Sequence, residues 1–114
     1  MADLFNYDEF VLFRNDDLVI LNKPADLRLE GKGFDCVESR VRSFVPGLEK
    51  FWLCHQLDLA TSGVLCVALN RKACGATGKL FTKRLVKKTY LAVLHGYWDP
   101  ASCASPYCKI LSAS

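Results

Sequence analysis

No run of apolar residues in this chain approaches the roughly 20 that a helix needs to span a bilayer, so no membrane partner is expected. The opening residues, Met1 to Glu9, carry Asp3, Asp8 and Glu9 but no basic group. That rules against a secretory signal or a transit peptide and leaves the cytoplasm, or the nucleus, as the expected location. There are six cysteines but no C-x-x-C pair. Cys36, Cys54, Cys66 and Cys74 sit singly inside apolar segments, and Cys103 and Cys108 make only a loose C-x4-C. Neither a zinc site nor a disulfide framework fits that spacing. Buried free thiols acting as small hydrophobes do, and no metal is expected.

What the chain does have is the composition of a packed domain. The hydrophobic fraction is 51% and the charged fraction 24%, values of a globular chain and not a disordered one. At 114 residues it is one small domain or part of a larger one. The net charge of +3 is modest, but it is unevenly placed. Acidic residues dominate the start, whereas Arg71, Lys72, Lys79, Lys83, Arg84, Lys87 and Lys88 follow one another without a carboxylate between them. Such a stripe either neutralises phosphates or forms a solvated helix face.

Periodicity places the elements. Phe10 to Arg14 and Leu18 to Asn22 read as short strands joined by a turn at Asn15-Asp16-Asp17, and Lys23-Pro24 ends the second. Phe34, Val37, Val41 and Phe44 or Val45 recur at helical spacing until Pro46-Gly47. Phe51 to Cys54 and Val64 to Leu69 predict strands, the latter apolar on both faces. Asn70 is placed to cap a helix over Arg71 to Arg84 with Ala73, Ala76, Leu80 and Phe81 inward. Val86 to His95 alternates as a strand. The order predicts an α+β fold, a mixed, largely antiparallel sheet with flanking helices.

Between two of these strands lies His55-Gln56-Leu57-Asp58-Leu59-Ala60-Thr61-Ser62-Gly63, a polar loop with one carboxylate beside an apolar strand. An acidic loop there must be tied down by hydrogen bonds or used for chemistry. The segment resembles the H-R-L-D-x-x-T-S-G motif of the RluA-type pseudouridine synthases, isomerases that convert uridine in RNA to pseudouridine. Two more blocks match in order. Leu18 to Ala25 resembles the family's early strand ending in N-K-P, and Val86 to Val93 followed by Gly96 resembles its V-x-K-x-Y-x-A-V strand.

The resemblance implies a site. Forming pseudouridine breaks the bond from C1' to N1 of uracil and rejoins the base through C5, so a carboxylate near C1' can stabilise charge or act as nucleophile or base. The family assigns this to one aspartate, with no metal or cofactor, and Asp58 falls at that position. The bland alternative for Asp58 is an Asx turn. Tyr90 falls where the family stacks a tyrosine on the target base; otherwise it is a strand aromatic packing into a core. Lys88, in the same block, is a further candidate for contacting substrate. Gln56 departs from the family, which usually has arginine there to fill the gap left by the flipped uridine; glutamine keeps hydrogen bonding but loses charge and stacking. His55 reads as a structural loop residue, and Thr61-Ser62-Gly63 as turn-shaping.

The family's chain continues through an L-x-T-G-R-x-H-Q-L-R-x-H segment that this sequence does not show. Residues 1–100 are therefore expected to form part of a catalytic domain, with 101–114 an irregular tail outside the family pattern, and the shortened chain is expected to be inactive alone. The partner implied is RNA, transfer or ribosomal. Two other readings stay open: an inert fragment that binds RNA, and one that docks on a protein through an unpaired sheet edge.

Overall fold

The computed structural model describes residues 5–97. A four-residue helix, α1 (Tyr7–Phe10), runs directly into β1 (Val11–Arg14), and a tight turn leads to β2 (Leu18–Lys23). Asn15 makes that turn: its side-chain oxygen accepts from the backbone N–H groups of Asp17 and Leu18, both at 2.8 Å. The Asx geometry is what the Asn-Asp-Asp cluster predicts. After a long connection come α2 (Val37–Phe44), β3 (Trp52–Leu53), β4 (Gly63–Ala68) and α3 (Arg71–Thr82). The strands form one sheet in the order β1-β2-β4-β3, and every pairing is antiparallel among the described residues. The α+β expectation holds.

Pairing of β2 with β4 runs from Leu18↔Ala68 to Lys23↔Gly63. On one face, Val19 and Leu21 of β2 meet Leu65 and Val67 of β4, and Val37 and Val41 of α2 close over them. All six are fully buried. Each contributes roughly 1.5–3 kcal/mol from leaving water, so this cluster dominates the stability of the described part. Val37 and Val41 are one turn apart, as the helical period requires. The helix begins later than its apolar spacing suggests: Phe34 stays outside it and exposed, because Cys36 caps α2, its sulfur accepting from Ser39 N–H while Ser39 Oγ accepts from Cys36 N–H.

The other face is covered by α3. Asn70 caps that helix as predicted, its side-chain oxygen accepting from Ala73 N–H at 2.8 Å, while its amide group donates to Asp17 across the sheet end. The inward face is rotated from the expected one. Ala73, Cys74, Thr77 and Phe81 are half-buried, whereas Ala76 and Leu80 face outward. Stacking of Phe81 on His55, with ring centroids 4.8 Å apart, sets this rotation.

One expected element is absent. Val86 to His95 forms no strand; Tyr90, Leu91, Val93 and Leu94 are all exposed, Val93 at 97%. A strand exists only where a neighbour accepts its hydrogen bonds, and neither edge of the described sheet, β1 or the two-residue β3, pairs with this segment. The expected tail at 101–114 lies outside the described residues.

Candidate active site

The loop from Cys54 to Ser62 joins edge strand β3 to interior strand β4. Its anchor is Leu57, buried against the main core. Asp58 follows and is exposed; its carbonyl accepts from Thr61 N–H at 3.0 Å, closing a turn. At Gly63 the chain enters β4 with φ of 129°, a backbone state that favours glycine over any residue with a Cβ. The motif's Leu-Asp-x-x-Thr-Ser-Gly wording is thus a local recipe: a hydrophobic anchor, a tight turn, and a glycine at re-entry.

A second support comes from β2. Lys23 has no exposure, and its ammonium group donates to the carbonyls of Pro24 at 2.9 Å and of Leu59 at 3.0 Å. The Leu59 carbonyl also accepts from Asp26 N–H at 2.8 Å. Asp26 itself sits at φ 63°, a left-handed state that Asp tolerates better than most residues. Two donors, Lys23 from the Asn22-Lys23-Pro24 block and Asp26 just after it, therefore hold the carbonyl next to Asp58. Burial lowers the Lys23 pKa, and the Asp26 charge partly opposes that shift.

In the sequence pattern Lys23 marks only the end of a strand. Its inward position was readable from the period of two: Val19, Leu21 and Lys23 share one face of β2.

His55 has a structural task. Its Nε2 accepts from Cys66 N–H at 3.0 Å, which requires the neutral ring. Its pKa is lowered chiefly by burial; a backbone hydrogen bond with Gln56 opposes this, and the Lys88 charge adds to it. Lys88 is accordingly close to the motif loop, although it is exposed on its own segment. Gln56 is exposed beside Asp58. Tyr90 is 63% exposed.

A hollow of about 600 Å³ is lined by Arg14, Trp52, Asn70 and Arg71, at the opposite end of β4. A smaller one of about 290 Å³ is lined by Phe5, Asn22 and Arg40. Neither includes Asp58 or Tyr90. Val86 to His95, which carries Tyr90 and Lys88, does not join the sheet. Among the described residues, no cluster of three or more His, Cys, Asp or Glu side chains could hold a metal ion.

A family model described as RNA pseudouridylate synthase matches residues 17–111. The chain belongs to this family. It is 38% identical over 96 residues to RNA pseudouridylate synthase domain-containing protein 1 of Homo sapiens, covering 76% of this chain and 31% of that protein. To ribosomal large subunit pseudouridine synthase C of Pasteurella multocida it is 32% identical over 106 residues, covering 90% of this chain and 30% of the relative. Among solved structures, human RNA pseudouridylate synthase domain containing 1 superposes with a TM-score of 0.57 at 34% identity, over 74% of this chain and 31% of that one. The chain thus spans about a third of the length of the curated relatives it matches. The RluA-type resemblance carried by Leu18 to Ala25, His55 to Gly63 and Val86 to Gly96 stands, and the matched region contains all three blocks.

Proposed function

We propose that this pseudouridylate synthase segment supplies the catalytic loop for isomerising uridine to pseudouridine in RNA, with Asp58 as the group that acts at C1'. The observation carrying this reading is the support of the Asp58 turn. A buried leucine, a fully buried lysine and a backbone amide all hold the residues on either side, while Asp58 itself is turned outward. A fixed backbone with an exposed carboxylate suits a group that must meet a substrate without reorganising. An aspartate serving only as a cap would be spent on local hydrogen bonds, but here the turn closes through its backbone carbonyl.

Gln56 beside Asp58 would hydrogen-bond to an edge orphaned by base flipping, Tyr90 would stack on the displaced uracil, and Lys88 would neutralise a nearby phosphate. The substrate would be transfer or ribosomal RNA.

The test is to map pseudouridine in transfer and ribosomal RNA pools incubated with the 114-residue chain and with a longer protein carrying it. Asp58→Asn keeps size but removes charge. It should lower turnover by about 10²-fold or more while leaving RNA affinity within twofold. Undiminished turnover in the variant would remove Asp58 from the chemistry.

A second reading, RNA binding without isomerisation, is favoured by the exposure of Arg71, Lys72, Lys79, Lys83, Arg84, Lys87 and Lys88 along α3 and the segment after it. Affinity for RNA with no pseudouridine formed by either protein would select it.

A further inference from the structure

Cys54 directly follows β3 and Cys66 lies in β4, and continuing the register Trp52↔Ala68, Leu53↔Val67 by one residue brings them opposite one another. Cys54 N–H donates to the Cys66 carbonyl at 3.3 Å, which extends the ladder to this pair. Residues facing each other in an antiparallel pair have Cα atoms about 4.5–5.5 Å apart, inside the roughly 4.4–6.8 Å that a disulfide spans. Both side chains lie on the face of the sheet opposite Leu65 and Val67, the face that α3 covers. Cys66 is nearly buried and Cys54 only half-buried, so a small oxidant reaches the pair from the Cys54 side.

We propose that Cys54 and Cys66 are an oxidisable dithiol whose disulfide ties off the loop carrying Asp58. The intervening residues, 55–65, contain the whole His55–Gly63 motif, and the same pair flanks the His55 to Cys66 N–H hydrogen bond that seats the loop. The oxidant is a peroxide. A Cys66 thiolate attacks one peroxide oxygen, the O–O bond breaks, and a sulfenic acid forms as the other oxygen leaves as water after taking a proton. The Cys54 sulfur then forms the S–S bond, expelling the sulfenic oxygen as a second water. Two thiols are oxidised by two electrons and the peroxide is reduced.

Electrostatics are arranged for this order. The neighbouring Cys54 thiol lowers the Cys66 pKa against the effect of burial, and the neighbouring Cys66 sulfur, together with burial, raises that of Cys54. The consequence for catalysis rests on Asp58 being the catalytic group; the formation of the bond does not.

The full 114-residue chain is treated with dilute hydrogen peroxide, alkylated and digested with trypsin. Cleavage after Lys50 and Arg71 leaves both cysteines in one peptide, Phe51 to Arg71. Expected is that this peptide loses two hydrogens, escapes alkylation at both positions, and regains both thiols with dithiothreitol. In Cys54→Ser the cross-link is lost, and Cys66 is instead trapped by a sulfenic-acid reagent. The proposal fails if both cysteines remain alkylatable in the wild-type protein. It fails equally if either one pairs with Cys36, Cys74, Cys103 or Cys108, or with a second chain. All of these outcomes are read by mass alone, so loss of RNA isomerisation for any other reason leaves the answer intact.

Discussion

At Lys23 an ammonium group with no exposure satisfies two carbonyls, one of them next to the proposed catalytic aspartate. Lys23→Met keeps the aliphatic stem and volume but leaves the Pro24 and Leu59 carbonyls short of a donor. The Leu59 carbonyl keeps the Asp26 N–H, so the loss is chiefly the unmade bond at Pro24 and the weakened one at Leu59, about 1–3 kcal/mol together, and Tm should fall by roughly 5 °C. Any isomerisation should fall further than stability does, because the turn at Asp58 loses one of the two donors that hold the Leu59 carbonyl; thermal melts and turnover of the same preparation compare the two. His55 supplies a second residue-level test. Because burial holds its pKa below the ordinary value, the stability it contributes is present above about pH 6.5 and is lost as pH falls below that, where the unfolded chain takes up a proton the folded ring refuses. Asp35, whose carboxyl Arg40 holds below the usual range by a side-chain hydrogen bond, acts in the same direction only at lower pH. His55→Gln keeps an acceptor for Cys66 N–H but does not titrate. Its curve of Tm against pH between about 7 and 5 should be flatter than that of the wild type.

At the scale of elements, the end of α3 shows a stress the sequence conceals. Arg84 N–H donates to the Phe81 carbonyl and Leu85 N–H to the Leu80 carbonyl, a Schellman closure that requires Arg84 at φ 56°. Arg84→Gly should stabilise the chain by about 1 kcal/mol, seen as a higher urea midpoint, because glycine adopts that state freely. The same region tests the basic stripe. Replacing Lys83, Arg84, Lys87 and Lys88 by alanine should weaken RNA binding and reduce the slope of log affinity against log salt by up to about 3, at roughly 0.7 per neutralised phosphate of a single strand. An unaltered slope would make these side chains a solvated face.

Much of this level was readable beforehand. Val19 and Leu21 alternate as a half-buried strand must, and Asn70 announces a helix start because its side chain can take the first orphan amide. What was not readable depends on partners distant in sequence. The face of α3 turns on one ring contact with His55, which small residues such as Ala73 and Ala76 cannot signal. Val86 to His95 has the pattern of a strand, but pattern states only what a segment would do beside a neighbour. The Asp58 loop could be located from its wording, whereas its tether at Lys23 needed the pairing of β2 with β4.

For the described part as a whole, the sheet and its three helices form one packed unit up to Leu85, and residues 86–97 are almost wholly exposed beyond it. Limited trypsin digestion should cut first after Lys87 and Lys88, and then near Lys83 and Arg84, leaving a resistant N-terminal fragment. First cleavage inside β2 or α2 would contradict this division. The β2–β4 pairing has one more effect. Lys23 and Gly63 are direct partners, so the chain departs from and returns to nearly the same point, and everything from Pro24 to Ser62 is an excursion pinned at its neck. The bend at Lys32-Gly33 and the turn at Pro46-Gly47, both exposed, lie within that excursion. Doubling the length of a flexible connection costs only about 0.6 kcal/mol. A segment inserted at either bend should therefore leave the β2–β4 register, and with it the turn at Asp58, in place.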